Sequence, residues 1–242
     1  MNAVLAPLTA RLTGAVRFTD PEPEQVRAMP VILRIERSAP PARTAVLEAA
    51  ASAAVLVCVR PDPEWREPLL AWTSSRIRKV SRRARGAHWA AVAELPGRTV
   101  RVGDAEVRAL VPGLVAQTPY EVRRLQISGS ELPADEPGPP PAGIPVLWLN
   151  PRVTMTAGKA AAQVGHGAML LAAMLDDAEL ASWSAAGCPC AVRVATGALW
   201  TEWCTPAEPV ALWRRSRAVA VRDAGFTEVA PGTVTVVARW HG

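Results

Sequence analysis

Three polar side chains are spaced so that they share one face of a predicted helix. The stretch GKAAAQVGH at residues 158–166 contains Lys159, Gln163 and His166. Helix residues three and four apart are neighbours, so an ammonium, an amide and an imidazole project together from a face that alanines leave uncrowded. Lys79 is the only other lysine in an arginine-rich chain, which indicates that a compact ammonium is wanted at position 159. The alternative is the polar face of a surface helix.

A second polar cluster follows a strand-like apolar stretch near the C-terminus. Asp223 comes directly after residues 218–222, and side chains at such strand ends open onto the crevice where α/β proteins place ligands. Gly225 permits a turn there. Hydroxyls that could hold phosphate, ribose or a reacting water follow at Thr227, Thr233 and Thr235. The alternative is an ordinary strand-to-turn signal, with threonines chosen for their β-propensity.

Together the two motifs supply a carboxylate, an imidazole, an ammonium and several hydroxyls. These groups can hydrolyse an ester by general base catalysis with stabilisation of the developing negative charge. The sequence has no serine in a nucleophile elbow and no acidic cluster suited to a metal ion. We therefore expect a hydrolytic site in which Asp223 or His166 removes the proton of an attacking water.

A proline- and glycine-rich stretch divides the chain of 242 residues. The sequence LPADEPGPPPAGIP at residues 132–145 is typical of a semi-rigid linker. Strand-like runs alternate with Ala-rich helical stretches elsewhere, which predicts an α/β layer fold. We expect an N-terminal extension of low order, a first domain, a linker and a second domain, over residues 1–28, 29–128, 129–144 and 145–242.

The two predicted domains resemble each other in sequence. MPVILRI at residues 29–35 resembles IPVLWL at residues 144–149, and an Ala-rich stretch and an acidic segment ending on tryptophan follow each. Further along, residues 102–113 align without a gap on residues 221–232. Several matches in the same order predict a tandem duplication. Two unrelated units of similar composition are the alternative.

The alignment also predicts that the first copy is catalytically inactive. Thr44, Glu48 and Ala51 fall opposite the three polar residues of the helix motif. Of the aligned functional positions only the aspartate persists, as Asp104. His88 is expected to be structural, because no catalytic residue types surround it.

The helix motif and the strand–turn motif resemble the two signatures of the type-2 peptidyl-tRNA hydrolase family, over residues 144–240. The resemblance implies cleavage of the ester joining a peptide to tRNA, without metal or organic cofactor. It also implies two tandem three-layer α/β domains here, each with a mixed sheet of about four strands flanked by helices. Residues at the family's functional positions are Lys159, Gln163, His166, Asp223, Thr227 and Thr235. We expect the catalytic residues to be Lys159, His166, Asp223 and Thr227, and the substrate-binding residues to include Gln163, Thr233 and Thr235.

Three features depart from the family pattern. Glu228 stands where the family usually has glutamine, residues 200–217 replace a regular third helix, and the sequence ends soon after its last strand, without the family's C-terminal helix. In the first copy, residues 118–125 are expected to form such a helix. The departures keep two alternatives open: a non-catalytic tRNA- or protein-binding module on the same fold, or a hydrolase of another ester or amide.

The charge distribution favours tRNA as the partner. Residues 1–144 carry 19 basic and 15 acidic side chains, against eight and seven in residues 145–242. The basic run over residues 76–85 contains no acid, and we expect Arg82 and Arg83 to help bind tRNA; a solvated surface is the alternative. The duplication predicts an internal pseudo-dimer, so the chain is expected to be a monomer or a homodimer.

The cell compartment is predicted from the hydropathy pattern and the cysteines. No apolar run reaches the length of a membrane span, and the N-terminus lacks a signal pattern. We expect a cytoplasmic protein that does not bind membranes. The cysteines are expected to be buried, inert thiols rather than disulfides or a zinc site: Cys58, Cys188, Cys190 and Cys204.

Overall fold

The computed structural model describes residues 2–16, 21–204, 208–225 and 227–241, which form two mixed β-sheets with helices packed against them. The first sheet consists of β1 (Arg27–Arg34), β2 (Lys79–Ala84), β3 (Gly97–Val102), β4 (Ala105–Leu110) and the short β5 (Gly113–Leu114). The second consists of β6 (Val146–Leu149), β7 (Ala191–Val194), β8 (Ala218–Arg222) and β9 (Val234–Arg239).

The two sheets have the same strand order. The first runs β2-β1-β4-β3, with β5 paired to β1, and the second runs β7-β6-β9-β8. In each sheet the two leading strands are parallel and the remaining pairs are antiparallel. The predicted pair of tandem α/β domains is therefore confirmed. A shared strand order is also what a duplication would leave, and the duplication itself stays a prediction.

The helices of the first domain are α1 (Ala6–Leu12), α2 (Arg43–Val59), α3 (Arg66–Thr73), α4 (Gly86–Ala93) and α5 (Tyr120–Arg123). Those of the second are α6 (Ala157–Ala172), α7 (Asp177–Ala185), α8 (Gly197–Cys204) and α9 (Pro209–Ser216). The short α5 lies where the sequence predicted a helix. No single helix in the described part of the chain is long and apolar enough to cross a membrane; α2 passes such a test only together with residues 63–73, across a bend of 96°.

The two long Ala-rich helices, α2 and α6, pack against each other between the sheets. Small side chains allow this close approach: a Cβ atom added to Gly165 of α6 would lie 3.0 Å from the Cβ of Ala54 in α2. One continuous apolar core includes both helices and the inner faces of both sheets. The outer faces are covered separately, by α4 and α5 on the first sheet and by α8 and α9 on the second. Each sheet therefore has helices on both sides.

The N-terminal extension is more ordered than predicted over its described part, residues 2–16. Leu5 and Leu8 are buried in the shared core, because helix α1 turns its apolar side inward. The Thr9 hydroxyl donates to the Ala173 carbonyl oxygen at 2.7 Å, just after α6. Residues 17–20 lie outside the described residues, and β1 begins at Arg27.

The predicted linker contains neither helix nor strand, but it is tied to both domains. The Asp135 carboxylate accepts hydrogen bonds from the backbone N–H and hydroxyl of Thr44, at the start of α2. Three residues further on, the Arg193 side chain of β7 donates to the Gly138 carbonyl oxygen at 2.7 Å. These contacts fix the linker along the surface.

The ungapped alignment of residues 102–113 on residues 221–232 is wrong as a structural equivalence. In the first domain a tight turn at Gly103 and Asp104 leads directly into β4. In the second domain the chain leaves β8 at Arg222 and reaches β9 only at Val234. The second domain therefore has an additional loop, and this loop carries part of the predicted site.

Candidate active site

Helix α6 presents its first turn to the end of β8. The helix starts after Thr156, whose hydroxyl accepts a hydrogen bond from the Lys159 backbone N–H at 3.1 Å and so caps the N-terminus. A Cβ atom at Gly167 would lie 3.1 Å from side-chain carbons of Leu147 and Val236. Glycine at this position lets the helix lie close against the second sheet, and the side chains of its first turns reach the strand end.

The loop after β8 turns the Asp223 carboxylate toward α6. The Asp223 backbone N–H donates to the Thr233 carbonyl oxygen at 2.9 Å, and its carbonyl oxygen accepts from the Gly232 N–H at 2.7 Å. The Gly225 N–H donates to Asp223 Oδ1 at 2.7 Å. Gly225 has φ +79°, and an added Cβ atom would lie 2.4 Å from a ring carbon of Pro231, so only glycine fits this turn.

Four of the predicted residues meet in one network around Asp223. Lys159 Nζ lies 2.6 Å from Asp223 Oδ2 and 3.0 Å from the Thr227 hydroxyl. The Gln163 amide donates to the same Asp223 oxygen at 2.8 Å. Only 9% of the Lys159 side chain and 7% of the Asp223 side chain are exposed. The ion pair is thus largely shielded from water. Charges act more strongly on a reacting group in such a shielded site than they do in water.

Gln163 and Thr235, which were predicted to bind substrate, are both buried. Thr235 has no exposed surface and Gln163 is 5% exposed. The Thr235 hydroxyl donates to Gln163 Oε1 at 2.5 Å, which leaves the amide N–H₂ pointing at Asp223. These two residues hold Asp223 in place. Thr233, also predicted to bind substrate, contributes its carbonyl oxygen to the Asp223 loop.

His166 lies apart from this network. Its Nδ1 is 3.2 Å from Nζ of Lys79 in β2 of the first domain, and among the described residues it makes no hydrogen bond to Lys159 or Asp223. Both side chains are half-buried, and the surrounding protein lowers the pKa of Lys79 to about 7. Burial, followed by the charges of Lys79, Lys159 and Arg11, holds the pKa of His166 well below its ordinary value. The imidazole is therefore neutral near pH 7 and faces the domain interface.

The two arginines predicted to bind tRNA have different surroundings. The Arg82 guanidinium donates to the carbonyl oxygens of Arg123 at 3.2 Å and Leu125 at 2.7 Å, and burial lowers its pKa. Arg82 therefore anchors the segment around α5, and its role in tRNA binding stays a prediction. Arg83 donates to the side-chain oxygen of Gln126 and lines an open cavity.

Two contacts at the start of α6 were not predicted. The Glu228 carboxylate accepts hydrogen bonds from the Thr156 backbone N–H and hydroxyl, both at 2.9 Å. The Ser130 hydroxyl, from the linker, accepts from the Gly158 N–H at 3.1 Å. Neither contact carries a local sequence signal, because Glu228 lies 72 residues from Thr156 and Ser130 lies 28 residues from Gly158.

Three of the cysteines, Cys58, Cys188 and Cys190, are buried free thiols. Burial raises the pKa of Cys58 and Cys188 to about 12 and raises that of Cys190 further. The side chain of Cys204 lies outside the described residues. Within the described ranges, no three His, Cys, Asp or Glu side chains are grouped as a metal site would require.

The second sheet and its lysine–aspartate pair define a small α/β domain with a polar site at its strand ends. Comparison with protein-family models matches residues 145–239 to the family described as peptidyl-tRNA hydrolase PTH2. This match confirms the resemblance that the two motifs predicted for the C-terminal part of the chain. The match does not include the first domain. No curated protein matched the chain.

Proposed function

We propose that this protein hydrolyses the ester bond between tRNA and a peptide or another N-blocked aminoacyl group, which recycles the tRNA. The family match supports this activity at the level of the family. The observation that carries the proposal for this chain is the shielded Lys159–Asp223 pair, with Thr227 beside it. A module that only binds RNA has no need for a lysine held against a buried carboxylate.

In the proposed mechanism a water molecule attacks the carbonyl carbon of the ester. Asp223 accepts a proton from the water as the new C–O bond forms. Lys159 stabilises the negative charge that develops on the carbonyl oxygen. The bond to the terminal ribose then breaks, and the ribose oxygen takes up the proton from Asp223. Thr227 orients the water or the ribose, and the chain's own groups suffice for each step.

We assign the base to Asp223 rather than His166. The imidazole of His166 is directed at Lys79, and no hydrogen bond among the described residues joins it to Lys159, Asp223 or Thr227. Gln163 and Thr235 act as positioning residues, because they fix the carboxylate and are themselves buried. Because peptidyl-tRNA arises during translation, we propose that the protein acts in the cytoplasm.

The packing of α2 against α6 supports a related proposal, that the two domains form an internal pseudo-dimer with one active site. The first domain has Thr44 and Glu48 where the alignment places Lys159 and Gln163, and we propose that it is catalytically inactive. A solution scattering profile of two separated domains would contradict the pseudo-dimer.

A non-catalytic tRNA-binding module is the second candidate, and Glu228 favours it. Its carboxylate occupies the N-terminus of α6 through Thr156. Backbone N–H groups at a helix N-terminus otherwise attract anions. A negative charge there opposes the approach of a tRNA end. A protein that no longer catalyses hydrolysis would tolerate this repulsion.

The deciding experiment measures release of a labelled N-acetyl-aminoacyl group from tRNA. The parent protein is compared with Lys159→Ala, Asp223→Ala and Arg66→Ala, the last removing an exposed cation of the first domain. Cleavage by the parent and by Arg66→Ala, with loss in the other two, supports the hydrolase. Binding of tRNA without cleavage favours the module, and full cleavage by Asp223→Ala would overturn the assignment of the base.

A further inference from the structure

The first domain has an open cavity of about 260 Å³ at the ends of β1 and β2. Four arginines and one histidine make up most of its lining, and we call it the arginine cavity: Arg37, Arg83, Arg85, Arg124 and His88. No carboxylate belongs to the described residues that line it. The cavity lies at the carboxyl ends of parallel strands, the edge of a sheet where α/β proteins place ligands.

The arginines of the cavity have no acidic partners in the described part of the chain. Arg83 donates to the amide oxygen of Gln126, and Arg124 contacts the imidazole of His88. Among the residues that the structure describes, no carboxylate lies within ion-pair distance of Arg37 or Arg85. Like charges that converge without neutralisation repel one another, and a bound anion relieves this. The planar guanidinium suits phosphate, which it binds through two parallel hydrogen bonds.

A short segment connects the arginine cavity to the catalytic helix. A Cβ atom at Gly129 would lie 2.9 Å from the Arg83 guanidinium carbon, so the backbone passes directly against one wall of the cavity. The next residue, Ser130, accepts the hydrogen bond of the Gly158 N–H. Gly158 immediately precedes Lys159. Residues 129–130 thus span the distance between the cavity wall and the first turn of α6.

We propose that the arginine cavity binds a backbone phosphate of the same tRNA whose ester is cleaved at Lys159 and Asp223. This inference rests on the proposed function for the identity of the RNA. It gives the first domain a part in substrate recognition, because that domain supplies phosphate contacts beside a catalytic domain with nearly balanced charge. RNA is favoured over a free phosphate compound because the cavity is open and lies beside the catalytic helix.

The test reverses the charge of two cavity residues in the full-length chain, Arg37→Glu with Arg85→Glu. The matched control is Arg66→Glu, the same change at an exposed position of the first domain. Hydrolysis is measured with N-acetyl-aminoacyl-tRNA and with the N-acetyl-aminoacyl ester of adenosine, which has the same ester but no backbone phosphate. The dissociation constant of deacylated tRNA is measured over a range of salt concentrations.

The double variant should bind tRNA at least about ten-fold more weakly, the effect of a lost charge-assisted hydrogen bond. Its preference for the tRNA ester over the adenosine ester should fall by the same factor. The slope of log affinity against log salt should decrease by about 2 if two phosphate contacts are lost. Arg66→Glu should retain the affinity, preference and slope of the parent.

Unchanged tRNA affinity in the double variant would overturn the inference. An equal loss on both esters with tRNA affinity intact would also overturn it. If millimolar inorganic phosphate raises the Tm of the parent but not of the double variant, while tRNA affinity stays the same, the cavity binds a free anion instead. If the parent cleaves neither ester, the proposed function fails, and the tRNA affinities alone still decide the role of the cavity.

Discussion

The two domains share a strand order and differ most in one connection. In the first domain β3 and β4 are joined by a turn at Gly103 and Asp104. In the second, the longer connection between β8 and β9, described over residues 223–225 and 227–233, brings Thr227 and Glu228 to the N-terminus of α6. The strand topology is common to both domains, and the longer connection adds Thr227 and Glu228 to the candidate site of the second domain.

The central helices use one aligned position in two ways. In α6, Gln163 holds the Asp223 carboxylate. In α2, Glu48 accepts hydrogen bonds from the Val192 backbone N–H at 3.1 Å and from the Arg193 guanidinium at 2.8 Å, across the domain interface. A helix face that holds the Asp223 carboxylate in one domain therefore joins the domains together in the other.

The largest difference is expected between the two aspartates that follow the third strand of each sheet, Asp223 and Asp104. Asp223→Asn should lower kcat for the tRNA ester by about 10²–10⁴-fold, the contribution of a positioned general base. KM should change little, because the amide keeps the shape of the side chain. Asp104→Asn, at an exposed turn, should leave both constants unchanged. Equal losses in the two variants would mean that the first domain also takes part in the chemistry.

The second largest effect is expected on the stability of the interface between the two domains. Glu48→Ala leaves the Arg193 guanidinium without its partner, and the two side chains are only 16% and 11% exposed. Loss of one partner of a buried ion pair should lower the free energy of unfolding by about 3 kcal/mol, as measured in urea. Glu64→Ala, at an exposed site, is the control. A change below about 0.5 kcal/mol would show that the pair is solvated in solution.

The sequence predicted those parts of the site that depend on regular local geometry. Lys159 and Gln163 are one helical turn apart, and Asp223 ends an apolar strand, so periodicity alone directs all three to one edge of the sheet. His166 has the same helical spacing, but its partner Lys79 lies 87 residues away in the other domain. Spacing within one helix cannot reveal which neighbouring element covers that face.

Two further features of the structure could not be predicted from local sequence, for similar reasons. Arg82 belongs to a basic run, but its guanidinium is used by carbonyl oxygens near α5, which no local pattern reports. The ungapped alignment failed because alanine, valine and glycine are frequent in both a tight turn and a longer loop. The side-chain types alone do not distinguish the tight turn at residues 103–104 from the longer connection that follows β8. The hydrogen bonds around Asp223 distinguish them.

A smaller effect is expected on the pH dependence of the free energy of unfolding, because Lys79 at the domain interface has a lowered pKa. The pKa of Lys79 is about 7 in the folded chain, below its ordinary value of 10.5. Between these values the unfolded chain binds a proton that the folded chain does not, so the free energy of unfolding should rise with pH. The slope is at most about 1.4 kcal/mol per pH unit. Lys79→Met should remove the slope and stabilise the protein at pH 7 by at least about 1 kcal/mol.

The lowered pKa of His166 adds a second dependence in a different window. Below its ordinary pKa of 6.5 the unfolded chain takes up a proton that the folded imidazole resists, so stability should fall further toward acid pH. This fall in stability below pH 6.5 should persist in Lys79→Met but should be smaller, because the variant lacks one of the positive charges near His166. Equal unfolding curves for parent and variant from pH 6 to 10 would refute the shielding of Lys79.

The smallest effect is expected at Glu228, where the family usually has glutamine. Glu228→Gln removes a negative charge from the start of α6 but keeps an oxygen that can accept the Thr156 hydrogen bonds. Repulsion of about 1 kcal/mol at the solvated edge corresponds to a KM for the tRNA ester about five-fold lower than the parent's, with kcat little changed. Stability should fall by about 0.5 kcal/mol, since the helix N-terminus favours a carboxylate. Glu64→Gln controls for net charge, and an unchanged or higher KM in Glu228→Gln would mean that this carboxylate serves the helix cap rather than opposing the substrate.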